Sequence, residues 1–215
     1  MGLYTPKKIP INWYQYEMKF SLELLNAFVL NIESQVKTSI EEYQNKKETI
    51  IIDDRPEEIG SHHIFNLHNG LDSQTWHLDS IFLEHFPNLQ RRSAFLSLYG
   101  FLEYELDKLC ILFKETNNFS IELKDLKYLG IDRSITFLTK VANLPIDKGN
   151  DKWGEIKSIQ KIRNLIVHND GKLIDINGIP RAKEIEIVKK NEFLTGDTEI
   201  LINDGFLNST LGKFE

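Results

Sequence analysis

From Asn12 to Lys47 the chain contains no proline and no glycine, and nothing else in that stretch breaks a helix. Tyr16, Phe20, Leu24, Phe28, Ile32 and Val36 recur there in steps of four, a helical period. The polar run Glu41–Glu48 is expected to project into solvent. A second long helix is predicted over Asn88–Thr116, with Phe95, Leu98, Tyr99, Leu102, Leu106, Leu109, Cys110 and Phe113 on one face. Two amphipathic helices of this length must bury their apolar faces against further elements, which points to a mostly helical bundle.

The remaining segments are read around those two helices. Residues 1–11 read as an extended arm, because Pro6 and Pro10 prevent an early helix. Thr49-Ile50-Ile51-Ile52 is predicted as a short strand and Asp53-Asp54-Arg55-Pro56 as a turn. Residues 57–71 are ambiguous, with Gly60 and Gly70 suggesting loops around one short helix. Another short helix is expected from Ser73 to Phe86, closed by Pro87, with Asn88 as the N-cap of the next. Asp132 is expected to cap a helix reaching Asn143, with Ile135, Leu138 and Val141 inward and Pro145 beyond its end. Asp151 is expected to cap a helix that stops at Asn169-Asp170-Gly171.

After Gly171 the pattern changes. Residues 172–176 and 185–188 cluster apolar side chains in strand fashion. Residues 192–194 and 198–202 flank Thr195-Gly196-Asp197, a hairpin signal. Asp204 is then expected to cap a short helix from Phe206 to Leu211. The expected fold is mainly α in one domain: a helical bundle over 12–171, then a small C-terminal β-hairpin appendage and short helix over 172–215.

The 215 residues include no run of the ~18 apolar residues that a membrane span needs. No membrane partner is expected, and the start of the chain lacks the apolar core of a secretory signal. Cys110, the single cysteine, excludes an intrachain disulfide and fits a cytoplasmic location, with the thiol as a small core group. The net charge of −6 argues against sequence-blind duplex binding by the whole surface. It leaves room for a local basic cleft, since Lys152–Lys190 holds nine basic residues against five acidic ones.

The helix over 151–169 carries the chemistry. At about 100° per residue, Ile156, Ile159, Ile162, Ile166 and Val167 form one broad stripe, with Trp153 at its edge. Arg163 falls near the middle of that stripe, where a guanidinium is costly unless a carboxylate or a bound anion pairs with it. His168 lies five residues on, about 140° further round, so the two side chains do not share a face of a regular helix. They converge if the helix unwinds near its end, or if a second chain brings its own pair.

The run Ile162-Arg163-Asn164-Leu165-Ile166-Val167-His168-Asn169-Asp170-Gly171 resembles the signature of the HEPN superfamily (higher eukaryotes and prokaryotes nucleotide-binding). In that family an arginine, commonly followed by a polar residue, precedes a histidine with four to six residues between them, near the end of the last core helix. Many members also carry an acidic residue in an aromatic-rich stretch of an earlier core helix. Leu98-Tyr99-Gly100-Phe101-Leu102-Glu103-Tyr104-Glu105-Leu106 is similar to that stretch, and the resemblance covers residues 88–171. It implies an antiparallel four- or five-helix bundle that dimerises so that two Arg-His motifs line one cleft. It also implies a metal-independent endoribonuclease of a toxin, abortive-infection or antiphage defence system, with no cofactor. The catalytic residues would be Arg163 and His168, supported by Asn164 and by Glu103 or Glu105. RNA would be the substrate, with an antitoxin or defence-complex protein as a further partner.

The chemistry suits those side chains. An imidazole titrates near neutral pH and can move the proton of a 2′-hydroxyl. A guanidinium can fork onto phosphoryl oxygens as charge builds. Other readings stand beside this one. Arg163 could serve only as a structural arginine paired with Glu103 or Glu105, and His168 as a helix C-terminal residue favoured by the dipole. Asn169-Asp170-Gly171 reads better as a helix-ending turn than as a catalytic element. Arg55 and His62 match a looser form of the motif, but Pro56 and Gly60 interrupt any helix between them. His62, His63, His68, His77 and His85 match no zinc spacing, so no metal is expected. The rival reading is a non-catalytic HEPN-like module that binds a nucleotide or a protein within a larger defence complex.

Overall fold

A computed structural model describes residues 11–46, 48–53 and 62–214. Of the expected arm over 1–11, residues 1–10 lie outside the described residues and Ile11 already belongs to a helix; Arg55 and most of the turn around it also lie outside them. The fold is mainly α, with six α-helices and small antiparallel sheets among the described residues. Helix α1 (Ile11–Asn45) runs antiparallel to α2 (Phe86–Asn117). Arg91 on α2 makes a forked bond to Glu33 on α1, at 2.7 and 2.9 Å, and Lys108 reaches Glu17 near the other end at 2.9 Å. Helix α4 (Asp151–Asn169) lies antiparallel on α2, with Arg163 beside Glu103 and Asp170 beside Arg92. The main core lies between these helices and holds Val29, Phe95, Leu98, Tyr99, Leu102, Ile159, Ile162, Leu165 and Ile166.

The step-four stripe on α1 does not form one face. Each four-residue step turns the helix about 400°, so five steps carry the stripe about 200° round. Val36 is buried, Phe28 and Ile32 are half-buried, and Tyr16, Phe20 and Leu24 are exposed. The core face is drawn instead by Leu22, Leu25, Val29, Ile32 and Val36, whose spacing of three and four matches the true period.

Strands β1 (Glu48–Asp53) and β2 (His62–His68) pair antiparallel from Glu48↔Leu67 to Asp53↔His62, and β3 (Leu71–Asp72) adds to β2. The β1 strand was expected, and over the described part of 57–71 the chain forms β2 and the start of β3 rather than a short helix, residues 57–61 lying outside the described residues. The predicted stop at Pro87 is absent as well. A wide turn over Ser80–His85 sends the Phe86 N–H back five residues to the Ile81 carbonyl, and α2 continues through Pro87. Such a turn makes room for a ring that would clash in a regular α-helix. Asn88 therefore caps nothing: it is buried, donates to the Ile200 carbonyl and accepts from the Ile202 N–H, both at 2.9 Å.

Helix α3 (Gly130–Thr136) continues into a second wide turn, Phe137–Val141, and starts two residues before the expected cap Asp132. Ile135 and Leu138 are buried beside Cys110, whose thiol burial pushes up to about 12, so it is inert at neutral pH. Helix α4 is capped by Asn150 rather than Asp151, with the Asn150 side chain accepting from the Trp153 N–H at 2.8 Å.

Residues 185–188 are not a strand but part of α5 (Ala182–Lys190). Residues 172–176 make only isolated bridges, Lys172↔Glu199 and Ile174↔Pro180. The C-terminal hairpin is present as β4 (Leu194–Thr195) and β5 (Leu201–Ile202), and α6 (Phe206–Gly212) follows. Gly205, with φ +91°, caps α6 in place of Asp204. These small elements close the core, since Ile200, Ile202, Phe206 and Leu207 are buried in the main cluster.

Candidate functional site

The end of α4 is fixed by polar anchors. Asp170 adopts φ +50° and turns the chain out of the helix, and the Gly171 N–H reaches back to the Leu165 carbonyl at 3.1 Å. Arg92, buried on α2, donates to Asp170 at 2.5 Å and to Glu199 at 3.0 Å. Arg181 donates to the Asn169 side chain at 2.6 Å. At Gly171, with φ +73°, a Cβ would sit 3.0 Å from Ile200 Cγ2 and 3.2 Å from Arg92 Cζ. Asn169-Asp170-Gly171 is thus a helix stop tied into the core, as its composition indicated.

Helix α4 stays regular to Asn169, so it does not unwind to bring His168 round to Arg163. The buried face of α4 is Ile159, Ile162, Leu165 and Ile166. Leu165 is 2% exposed and Val167 is 46% exposed, which turns the true stripe away from the one drawn through Val167. Arg163 consequently sits on the flank facing α2 and not at the centre of the apolar face. Its side chain is 28% exposed, Nη2 lies 3.7 Å from Glu103 Oε2, and Nη1 donates to Asn164 Oδ1 at 3.1 Å. The guanidinium also lies over the Tyr99 ring, 5.6 Å from its centroid.

Of the two candidate carboxylates, Glu103 stands at Arg163. Glu105 is buried and has Lys108 at 3.9 Å. The Glu103 carboxylate packs against Gly130, where a Cβ would come within 2.5 Å of it. His168 and Asn164 are exposed on the solvent side of α4. Within one chain the structure therefore brings together Arg163, Asn164 and Glu103, and holds His168 about 140° away round the axis.

Tyr99 was read from sequence as core packing, and it is also the floor under Arg163. It lies one helical turn before Glu103, a spacing that puts both on one side of α2. Burial, then the Glu103 carboxylate, push its phenol well above the ordinary value against the opposing Arg163 charge. Tyr99 is thus neutral and holds its proton at any working pH.

Asp132 braces the neighbouring flank, accepting from Lys157 at 2.9 and 3.0 Å and from Gln160 at 3.1 Å. Burial alone would raise its carboxyl, but those bonds and the Lys157 and Lys148 charges hold it below the ordinary value. A depressed carboxylate adds stability above its unfolded pKa and loses it as pH falls through the folded one. Asp132→Asn should therefore cost about 1 kcal/mol or less at neutral pH, given its partial exposure. The difference from wild type should vanish in urea titrations taken well below about pH 3.9, the unfolded carboxylate value.

Among the described residues no group of three or more His, Cys, Asp or Glu side chains is placed to hold a metal ion. No helix there is long and apolar enough to cross a membrane. The chain matches no family model, no curated protein and no solved structure.

Proposed function

We propose that this chain is a metal-independent endoribonuclease of the HEPN type that acts as a homodimer, in a toxin or antiphage defence system. The observation that carries the reading is the setting of Arg163. Glu103, Asn164 and the Tyr99 ring orient a permanent cation that keeps access to solvent. A purely structural arginine would be expected to be closed off by its partners. His168 stands exposed at the end of the same rigid helix. Val167, beside it, and Leu129, next to the Gly130 that supports Glu103, are exposed apolar side chains on which a second copy could close.

In the proposed reaction the 2′-oxygen attacks the adjacent phosphorus and the bond to the 5′-oxygen breaks. The products are a 2′,3′-cyclic phosphate and a 5′-hydroxyl. His168 moves the proton, taking it from the 2′-hydroxyl or supplying one to the leaving oxygen. Arg163 stabilises the charge that builds on the phosphoryl oxygens. Glu103 and Asn164 hold Arg163 in place. The defence role rests on the sequence resemblance, as does an antitoxin or complex partner.

The test is RNA cleavage by purified wild-type chain in EDTA at concentrations that permit dimerisation, with end-group analysis for the cyclic phosphate. Cleavage that survives the chelator is the expected result. Cleavage only with added divalent metal, or linear phosphate ends from the outset, would sink this mechanism. Binding of nucleotide or protein without any cleavage would favour the non-catalytic module.

A further inference from the structure

A groove with a volume of about 910 Å³ lies on the other side of α4 from Arg163, between α4, α5 and α6. Five lysines line it: Lys148, Lys161, Lys183, Lys190 and Lys213. Three carboxylates face them. Glu155 is taken up by Lys213 at 3.5 Å and Glu186 by Lys190 at 2.7 Å, and Asp151 stands in the first turn of α4. Among the described residues Lys148, Lys161 and Lys183 have no carboxylate within ion-pair distance, and only longer-range attraction links Lys148 to Asp132 and Lys161 to Glu186. Three like charges gathered at one concave surface repel one another unless an anion screens them.

The groove is connected to the candidate site by the geometry of α4. Lys161, Asn164 and His168 follow at steps of three and four, which places them within about 60° of one another on the solvent face. Lys161 is thus both a wall of the groove and the start of the face that ends at His168, about 10 Å further along the axis. A chain of phosphates lying in the groove would run past Lys161 toward His168. Beneath the lysines the floor is closed by the buried Ile159, Ile162 and Phe206, and the half-buried Ile187 is the apolar side chain left open to a bound strand.

We propose that the groove between α4, α5 and α6 is a binding track for single-stranded RNA, in which Lys148, Lys161 and Lys183 hold phosphates and lead the strand to His168. The direction of the strand toward His168 rests on the ribonuclease reading above, whereas the binding track itself does not. The three lysines are positioning residues in this scheme, and none moves a proton.

The test compares three purified proteins by fluorescence anisotropy with a labelled, unstructured single-stranded RNA: wild type, Lys148→Gln/Lys161→Gln/Lys183→Gln, and a charge-matched control, Lys19→Gln/Lys37→Gln/Lys46→Gln on α1 and just past its end. Circular dichroism confirms that each is folded. The groove variant should bind at least about tenfold more weakly at low salt, and its slope of log K against log salt should fall by about 2, the counterion release of three phosphate contacts on a single strand. The control should bind like wild type. Equal binding by the groove variant and the control overturns the proposal, as does a wild type that binds no RNA. Lysine-dependent binding without cleavage by wild type would retain the track and remove the nuclease. Cleavage by wild type with an unaffected groove variant would do the reverse.

Discussion

Glu199→Ala is expected to destabilise the fold by about 3 kcal/mol, more than Arg92→Met, although both remove the same ion pair. The asymmetry follows from where each charge sits. The Arg92 side chain is 6% exposed, Glu199 is 20% exposed and Asp170 is 78% exposed. Removing Glu199 leaves a buried guanidinium that cannot shed its proton, with Asp170 as its remaining ionic partner. Its Nε already has no hydrogen-bond partner among the described residues. Arg92→Met fills similar space with apolar atoms and leaves two carboxylates that reach water or, for Glu199, retain Lys172. That substitution should cost about 1 kcal/mol. Urea titrations of both variants, with Lys172→Ala as a control for the second ion pair, decide the matter. Equal losses would mean that packing at this node, and not the buried charge, fixes the end of α4.

That node also shows what the sequence could and could not reveal. The helix stop at Asn169-Asp170-Gly171 was legible because left-handed backbone and its preferred residues are local properties. The long helices and the inward faces of α2 and α3 were legible for the same reason. Arg92 was not, because its partners lie 78 and 107 residues away. Asn88 failed in a similar way: its local preference is an N-cap, and the tertiary bonds to Ile200 and Ile202 override it. Residues 185–188 hold too few apolar positions to separate a period of two from one near four. In α5, acidic Glu184 near the start and Lys189 and Lys190 at the end suit a helix dipole, a signal available in the sequence.

The candidate site was legible in its parts. Glu103 meets Arg163 because α2 and α4 are antiparallel, a topology that the periodicity of either helix alone does not specify. The angular offset of Arg163 and His168 was legible from their spacing. Its relief by fraying was the wrong alternative, since Leu165 and the Arg92 and Arg181 contacts keep the last turn intact.

On the proposed ribonuclease reading, a last turn that stays helical makes a second copy the way to unite the two groups on one phosphate, and this has a measurable consequence. Arg163→Ala and His168→Ala should each, on the ribonuclease reading proposed above, lower RNA cleavage by about 10²- to 10⁴-fold without loss of fold. Arg163 is on the flank of α4 and His168 is exposed, so neither truncation opens a core cavity. If each composite site takes its arginine from one protomer and its histidine from the other, mixing the two inactive variants restores activity. A heterodimer then holds one site with both groups intact and one with neither. With random exchange half of the dimers are mixed, so the mixture should recover roughly a quarter of wild-type activity. Recovery should follow subunit exchange in time and disappear if the protomers are cross-linked before mixing. A mixture as silent as its components, under conditions where wild type cleaves, would mean that Arg163 and His168 of the same chain act together. The 140° between them would then have to close by a change at the end of α4, and the Arg92–Asp170 contact is the bond that such a change would have to break.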